Sequence, residues 1–149
     1  HKRRQRTESC RRRLAMVKLA ARGNAKIAAC DWEIRRGGLS YTADTVRECR
    51  KRFPDATIIL VIGADSLADL HGWREAEFFS SLPLAVACRS NVPLHRAVRG
   101  KKITLLRTPL IDIASSDIRR RISRGLPIKY LVPPAVEAYV RRARLYRNG

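Results

Sequence analysis

The sequence predicts an α/β fold with a mainly parallel sheet. Short apolar runs alternate with segments of helical periodicity along the chain. The strongest run, Thr57-Ile58-Ile59-Leu60-Val61-Ile62, is β-branched and apolar throughout and stops at Gly63, as expected of a parallel strand buried on both faces. The chain closes with a Pro133-Pro134 start followed by Val136, Tyr139, Val140 and Ala143, which mark one side of an amphipathic helix.

Each element has its own local reason. Thr7 or Ser9 can cap a first helix whose Cys10, Leu14, Val17 and Ala21 recur at helical spacing, with Gly23-Asn24 as the stop. Lys26-Ile27-Ala28-Ala29-Cys30 reads as a short strand, and Arg36-Gly37-Gly38-Leu39 as a turn. A second helix runs from Tyr41 through Val46 and Cys49 to Phe53, where Pro54 ends it. Beyond the Thr57–Ile62 strand come a short helical stretch with Leu67 and Leu70 and another around Trp73–Phe79. Leu84–Cys88 and Ile103–Leu106 are the next strands, separated by a polar Arg89–Lys102 loop that contains Pro93 and Gly100. Ser115 and Ser116 begin a helix that ends near Gly125, before the final one.

The 149 residues are expected to form one domain, 1–149. A domain of this size buries roughly 68–70% of its unfolded surface. A hydrophobic content of 45% argues against disorder, and no apolar run approaches the ~20 residues of a membrane span. No apolar signal core follows the basic opening stretch. Cys10, Cys30, Cys49 and Cys88 lie about 20 to 40 residues apart with no CxxC pair, which fits reduced thiols in a cytoplasmic protein. Lys and Arg number 32 against 13 Asp and Glu, a net +19. Two readings of that charge remain open: a basic solvated surface, and attraction of phosphate, including nucleic acid.

In open α/β sheets, ligands collect beyond the carboxyl ends of the strands, and three segments fall there. In Ile62-Gly63-Ala64-Asp65-Ser66-Leu67, Gly63 permits close backbone approach, and Asp65 either accepts ribose hydroxyls or, like Ser66, caps the next helix. In Ile113-Ala114-Ser115-Ser116-Asp117-Ile118-Arg119, free N–H groups at a helix start and two hydroxyls suit phosphate, the alternative being an ordinary serine cap. Arg119, Arg120 and Arg121 are placed in its first turn, where the dipole disfavours each cation by about 0.3–1 kcal/mol at exposed sites. That points to an anion to meet them, Arg119 first, the alternative being arginines that point into water. The third segment, Ser40-Tyr41-Thr42, opens a helix that can hold a carboxylate, with Trp73 available to stack on a flat ring or to serve as core. His71 and His95 are isolated, and neither a paired-carboxylate set, a nucleophile–base set nor a protein metal cage is legible.

Taken together, these segments resemble the bacterial nicotinate-nucleotide adenylyltransferases. The matching stretches are Glu33–Thr45, Ile62–Leu67 followed by Trp73, Ala87-Cys88-Arg89, Ile113–Arg119 and Tyr130-Leu131-Val132-Pro133, in the family's order and near its spacing. The serine-rich helix start is shared by related nucleotidyltransferases, whereas Ser-Tyr-Thr with Gly-x-Asp-Ser-Leu and Trp73 is more specific. The resemblance implies a Rossmann-like nucleotidyltransferase fold and adenylyl transfer from ATP to nicotinate mononucleotide in NAD biosynthesis, with magnesium carried on ATP. It further implies that Ser115, Ser116 and Arg119 meet ATP phosphates, Ser116 and Arg119 in catalysis, with Arg89 as a further phosphate candidate. Gly63 and Asp65 would line the nucleotide cleft, and Tyr41, Thr42 and Trp73 the nicotinate end. Alternatives are a basic RNA-binding α/β module and a sister nucleotidyltransferase with another acceptor.

Two departures from the family pattern stand out. Ala114 replaces the first serine of the usual Ile-Ser-Ser-Thr/Ser-x-x-Arg motif. The family also opens with a strand and a Gly-x-Phe-Asp-Pro-x-His-x-Gly-His loop, whereas His1-Lys2 here resembles the Pro-Pro-His-Lys stretch that follows that loop. The family's sheet order places the first strand between the Ile27 and Ile58 strands. On that reading residues 1–149 by themselves are expected to be inactive and marginally stable.

Overall fold

The computed structural model describes residues 8–87, 102–106, 109 and 111–147. Thr7, Cys88, Arg89, His95 and most of the expected 89–102 loop lie outside the described residues. In chain order the elements are α1 (Cys10–Ala21), α2 (Trp32–Arg36), α3 (Thr42–Arg52), β1 (Leu60–Gly63), α4 (Ala64–Ala68), two 3₁₀ turns (Leu70–Gly72 and Ala76–Ser81), β2 (Leu84–Ala87), β3 (Ile103–Leu106), α5 (Ser115–Ser123) and α6 (Pro134–Arg142). They fall into two compact units, one spanning Gly37–Asp112 and the other combining His1–Arg36 with Ile113–Gly149.

The Gly37–Asp112 unit holds the sheet, in the order β1-β2-β3 with both pairs parallel. Leu60 pairs with Leu84 and Leu84 with Ile103, while Ile62 pairs with Val86 and Val86 with Leu105. Leu60, Ile62, Leu84, Val86 and Ile103 join one core with Ala43 and Val46 of α3, Leu67 of α4, and Leu70, Phe79 and Leu82. The expected strand at residues 57–62 forms only from Leu60, and it is not buried on both faces: Ile62 is buried but Val61 is 63% exposed. Among the described residues β1 is an edge strand, whereas β2 is hydrogen-bonded on both sides with Leu84, Ala85 and Val86 all buried.

α3 follows the sequence expectation closely, with Tyr41 at its N-cap, Phe53 at its C-cap and Pro54 beyond. Asp44 in its first turn and Arg50, Lys51 and Arg52 in its last complement the helix dipole. Gly37 and Gly38 before it have φ of +70° and +67°, a turn that side chains resist. Arg47 ties α3 to Glu75, which also has positive φ (59°). Its guanidinium bonds both Glu75 carboxylate oxygens, reaches Asp44 Oδ1 at 3.3 Å and lies 4.9 Å from the Phe78 ring centroid.

In the other unit, α1 packs on α6. Its core is Ile128, Val136, Val140 and Leu145, with Met16, Leu19, Ile118 and Ile122 against it. Ser9 caps α1 by accepting the Arg12 N–H at 3.4 Å. The inward residues of α1 differ from the predicted stripe: Met16 and Leu19 pack inward, while Cys10 and Val17 are exposed. The expected strand at residues 26–30 is absent, and Ile27 is 56% exposed. Asn24 competes for it locally, because its side chain accepts the Lys26 N–H at 3.0 Å and its carbonyl accepts the Ile27 N–H at 3.1 Å. The sequence did not suggest α2, which an Asp31–Arg35 pair at 2.9 Å, spaced i,i+4, supports.

Phe79 is 1% exposed and meets Trp73 and Phe78 edge-on. Phe79→Ala is therefore expected to cost about 3–5 kcal/mol in denaturant unfolding, and Val61→Ala no more than about 1 kcal/mol. The Arg47 hydrogen bond holds the Glu75 carboxyl below its ordinary range. The stabilisation is thus present above the ordinary carboxylate pKa and lost as pH falls through the lowered folded value. Thermal midpoints of the parent and Glu75→Gln should differ at neutral pH, modestly because the pair is exposed, and converge on acidification.

Candidate active site

Five of the expected site residues that the structure describes lie in the Gly37–Asp112 unit. Tyr41 and Thr42 open α3 and are half-buried, and no side chain caps that helix. The Arg74 guanidinium sits 4.4 Å from the Tyr41 ring centroid, and the neighbouring Glu75 is held by Arg47 of α3. These two links bring residues 73–75 to α3, so Trp73 shares a neighbourhood with the Tyr41–Thr42 helix start. Trp73 is half-buried, with its ring 5.3 Å from that of Phe79 at 86°, and it packs against the core. Its core role, one of the two readings, is therefore real. Sequence spacing gave no sign of Arg74 or Arg47, which stand 33 and 28 residues from their partners Tyr41 and Glu75.

Gly63 ends β1 and is the N-cap of α4. Neither Asp65 nor Ser66 caps that helix, because the N-cap is Gly63 and no side chain bonds the cap. The exposed Asp65 carboxylate instead folds back over Gly63, where a Cβ would collide with Oδ1. Glycine at position 63 therefore lets the Asp65 carboxylate take this position at the carboxyl end of β1, which a Cβ would make it leave.

Ser115, Ser116 and Arg119 lie on α5 in the other unit. Neither serine is the cap: Ala114 is the N-cap, with no side-chain bond, and both serines are exposed. The Asp117 and Ile118 N–H groups both reach the Ala114 carbonyl, at 3.0 and 3.1 Å. No acceptor among the described residues takes the Ser115 or Ser116 N–H, so the helix start offers two N–H groups and two hydroxyls on one turn.

The placement of all three arginines in the first turn is corrected. α5 has nine residues starting at Ser115, so Arg120 and Arg121 fall in its last turn, where the dipole favours cations. Each also has an internal partner: Arg120 pairs with Asp117, and Arg121 Nε donates to the Pro127 carbonyl at 2.9 Å. Arg119, half-buried like Arg121, is close enough to Tyr146 to act on its phenol. Burial, then the Glu8 charge, push the Tyr146 pKa up, while Arg119 and Arg13 pull it down.

Arg89 lies outside the described residues. Among the described residues no group of three or more His, Cys, Asp and Glu is placed to hold a metal ion, and no helix is long and apolar enough to cross a membrane.

The cytidylyltransferase-like family model matches residues 1–121. A protein of Thermomicrobium roseum named probable nicotinate-nucleotide adenylyltransferase is 40% identical over 145 residues, covering 91% of this chain and 67% of its own length. A Symbiobacterium thermophilum protein of the same name is 38% identical over 160 residues, covering all of this chain and 76% of its own. Among solved structures, a Plasmodium falciparum nicotinic acid mononucleotide adenylyltransferase complexed with APC superposes with a TM-score of 0.78 at 19% identity, covering 98% of this chain and 80% of that one. That match shows a shared fold, Rossmann-like and with a parallel sheet. By its matches in sequence, the chain belongs to the nicotinate-nucleotide adenylyltransferase family, within the cytidylyltransferase-like group.

Proposed function

We propose that this protein transfers the adenylyl group of ATP to nicotinate mononucleotide, giving nicotinate adenine dinucleotide and pyrophosphate in NAD biosynthesis. The observation that carries the reading is 38–41% identity to the family's members over nine-tenths or more of the chain. The family match over residues 1–121 includes parts of both units and supports one nucleotidyltransferase domain. A cytoplasmic setting agrees with free thiols at Cys10 and Cys30.

In this reaction an oxygen of the mononucleotide phosphate attacks the α-phosphorus of ATP. A new P–O bond forms there as the bond to the oxygen bridging the β-phosphate breaks, and pyrophosphate leaves with that electron pair. No covalent enzyme intermediate is needed, so the protein contributes alignment and charge stabilisation. Magnesium enters on the triphosphate, as part of the substrate.

We assign the Ser115 and Ser116 N–H and hydroxyl groups, with Arg119, to the ATP phosphates, and Arg89 to a further phosphate contact. Ser116 and Arg119 act on charge that grows during transfer. Asp65, with Gly63 giving it room, accepts nucleotide hydroxyls. Tyr41, Thr42 and Trp73 receive the nicotinate end, where the α3 start favours a carboxylate. Selectivity for the acid mononucleotide over its amide follows from that assignment.

Incubation of the full-length protein with ATP and a panel of acceptors should yield dinucleotide and pyrophosphate fastest with nicotinate mononucleotide. Faster turnover of the amide, or of an unrelated phosphorylated acceptor, would point to a sister nucleotidyltransferase instead. Arg119→Ala should lower kcat by about 10²–10³-fold with little change in thermal midpoint. Arg121→Ala should leave kcat near the parent's, because its side chain is engaged with the Pro127 carbonyl. Trp73→Ala should raise KM for nicotinate mononucleotide more than for ATP, on top of a loss of stability from its contact with Phe79. Equal changes in the two KM values would assign Trp73 to the core alone.

A further inference from the structure

The net charge of +19 is divided unequally between the two units. His1–Arg36 together with Ile113–Gly149 carry 21 Lys and Arg against 5 Asp and Glu, a net +16, while Gly37–Asp112 carry 11 against 8, a net +3. The two halves are almost equal in length, so a uniformly basic solvated surface does not account for the difference. Nor do the substrates, whose few phosphates need only a few cations. We infer that residues 113–147 form a binding surface for single-stranded nucleic acid, a reading that does not depend on the proposed adenylyl transfer.

Three observations support it. Arg124, Lys129, Arg141, Arg142, Arg144 and Arg147 are all exposed, and none makes an ion pair among the described residues. Arg141 and Arg147 line a cleft of about 510 Å³ whose other walls include Ile122, Leu126, Ile128 and Val140, with Glu137 its one carboxylate. Two residues beyond Ile128, Tyr130 is 87% exposed and holds φ of +65°, a backbone region that favours glycine. The Lys129 ammonium lies 5.1 Å from its ring centroid.

An exposed, conformationally costly aromatic ring with Lys129 over its face, two residues along the chain from the Ile128 wall of a mixed polar and apolar cleft, suits an unpaired base above a phosphate chain. A duplex hides its base faces and would gain nothing from Tyr130. Cations without acidic partners suit a closely spaced polyanion, whose bound counterions are released when it binds.

The test is anisotropy of a fluorescein-labelled 20-nucleotide oligouridylate titrated with full-length protein at 50 to 200 mM NaCl. Five or more phosphate contacts predict a slope of log K on log salt of about −3.5 or steeper. Arg141→Gln, Arg142→Gln and Arg147→Gln together should weaken binding at least about tenfold and flatten that slope. Removing three charges from the other unit, by Arg50→Gln, Lys51→Gln and Arg52→Gln, should change affinity less than threefold, which controls for overall charge. Tyr130→Gly suits the local backbone, keeps the fold, and should weaken binding about five- to fiftyfold with the slope unchanged. Absence of binding at 50 mM NaCl, equal losses from both triple variants, duplex bound as tightly as the single strand, or an unchanged Kd in Tyr130→Gly would each overturn the inference.

Discussion

The two ladders of backbone hydrogen bonds on either side of β2 are the constraint on which the Gly37–Asp112 unit depends. β2 pairs in parallel with β1 and with β3, and its Leu84, Ala85 and Val86 are buried. Satisfying its polar backbone on both sides lets these aliphatic side chains sit in a dry interior. The same register carries Ile62 into the core and ends β1 at Gly63, beside the Asp65 carboxylate. A one-residue slip would turn Ile62 outward and Val61 inward, moving the end of the strand and the start of α4 with it.

Around that core, polar contacts do a different task. Arg47 and Arg74 join α3 to the 73–75 segment through a carboxylate and an aromatic ring. Both links are exposed, and pairs of this kind add little stability. Their effect is positional: they keep the half-buried Trp73 near the Tyr41–Thr42 helix start. Trp73 meets Phe79 edge-on and so belongs to the core while remaining near the surface. A side chain fixed on one side by packing is better placed to define a ligand's orientation than one free in solvent.

The start of α5 shows how one substitution changes what a motif offers. With Ala114 at the N-cap, no side chain occupies the first N–H groups, and the two serines that follow present their hydroxyls outward. Arg120 and Arg121 are engaged within the helix and with the turn after it. Arg119, in the middle of the helix, lies near enough to Tyr146 to lower its pKa.

Much of this was legible in the sequence because it is decided locally. Ser9, Pro54 and Pro134 mark helix ends through capping and a missing N–H, and β3 falls where the apolar run Ile103–Leu106 placed it. Adenylyltransferase family membership was likewise carried by short motifs. Tertiary structure decided what depends on partners distant in the chain. Whether residues 26–30 become a strand depends on a neighbouring strand, and Asn24 takes the Lys26 and Ile27 N–H groups instead. That Val61 is exposed while Ile62 is buried depends on what packs against each face of β1, which no run of β-branched residues can specify. The inward turn of Met16 and Leu19, and the Tyr41–Arg74 contact, likewise required side chains brought together across the fold. Periodicity and caps are properties of a few adjacent residues, whereas burial and pairing belong to the whole packed chain.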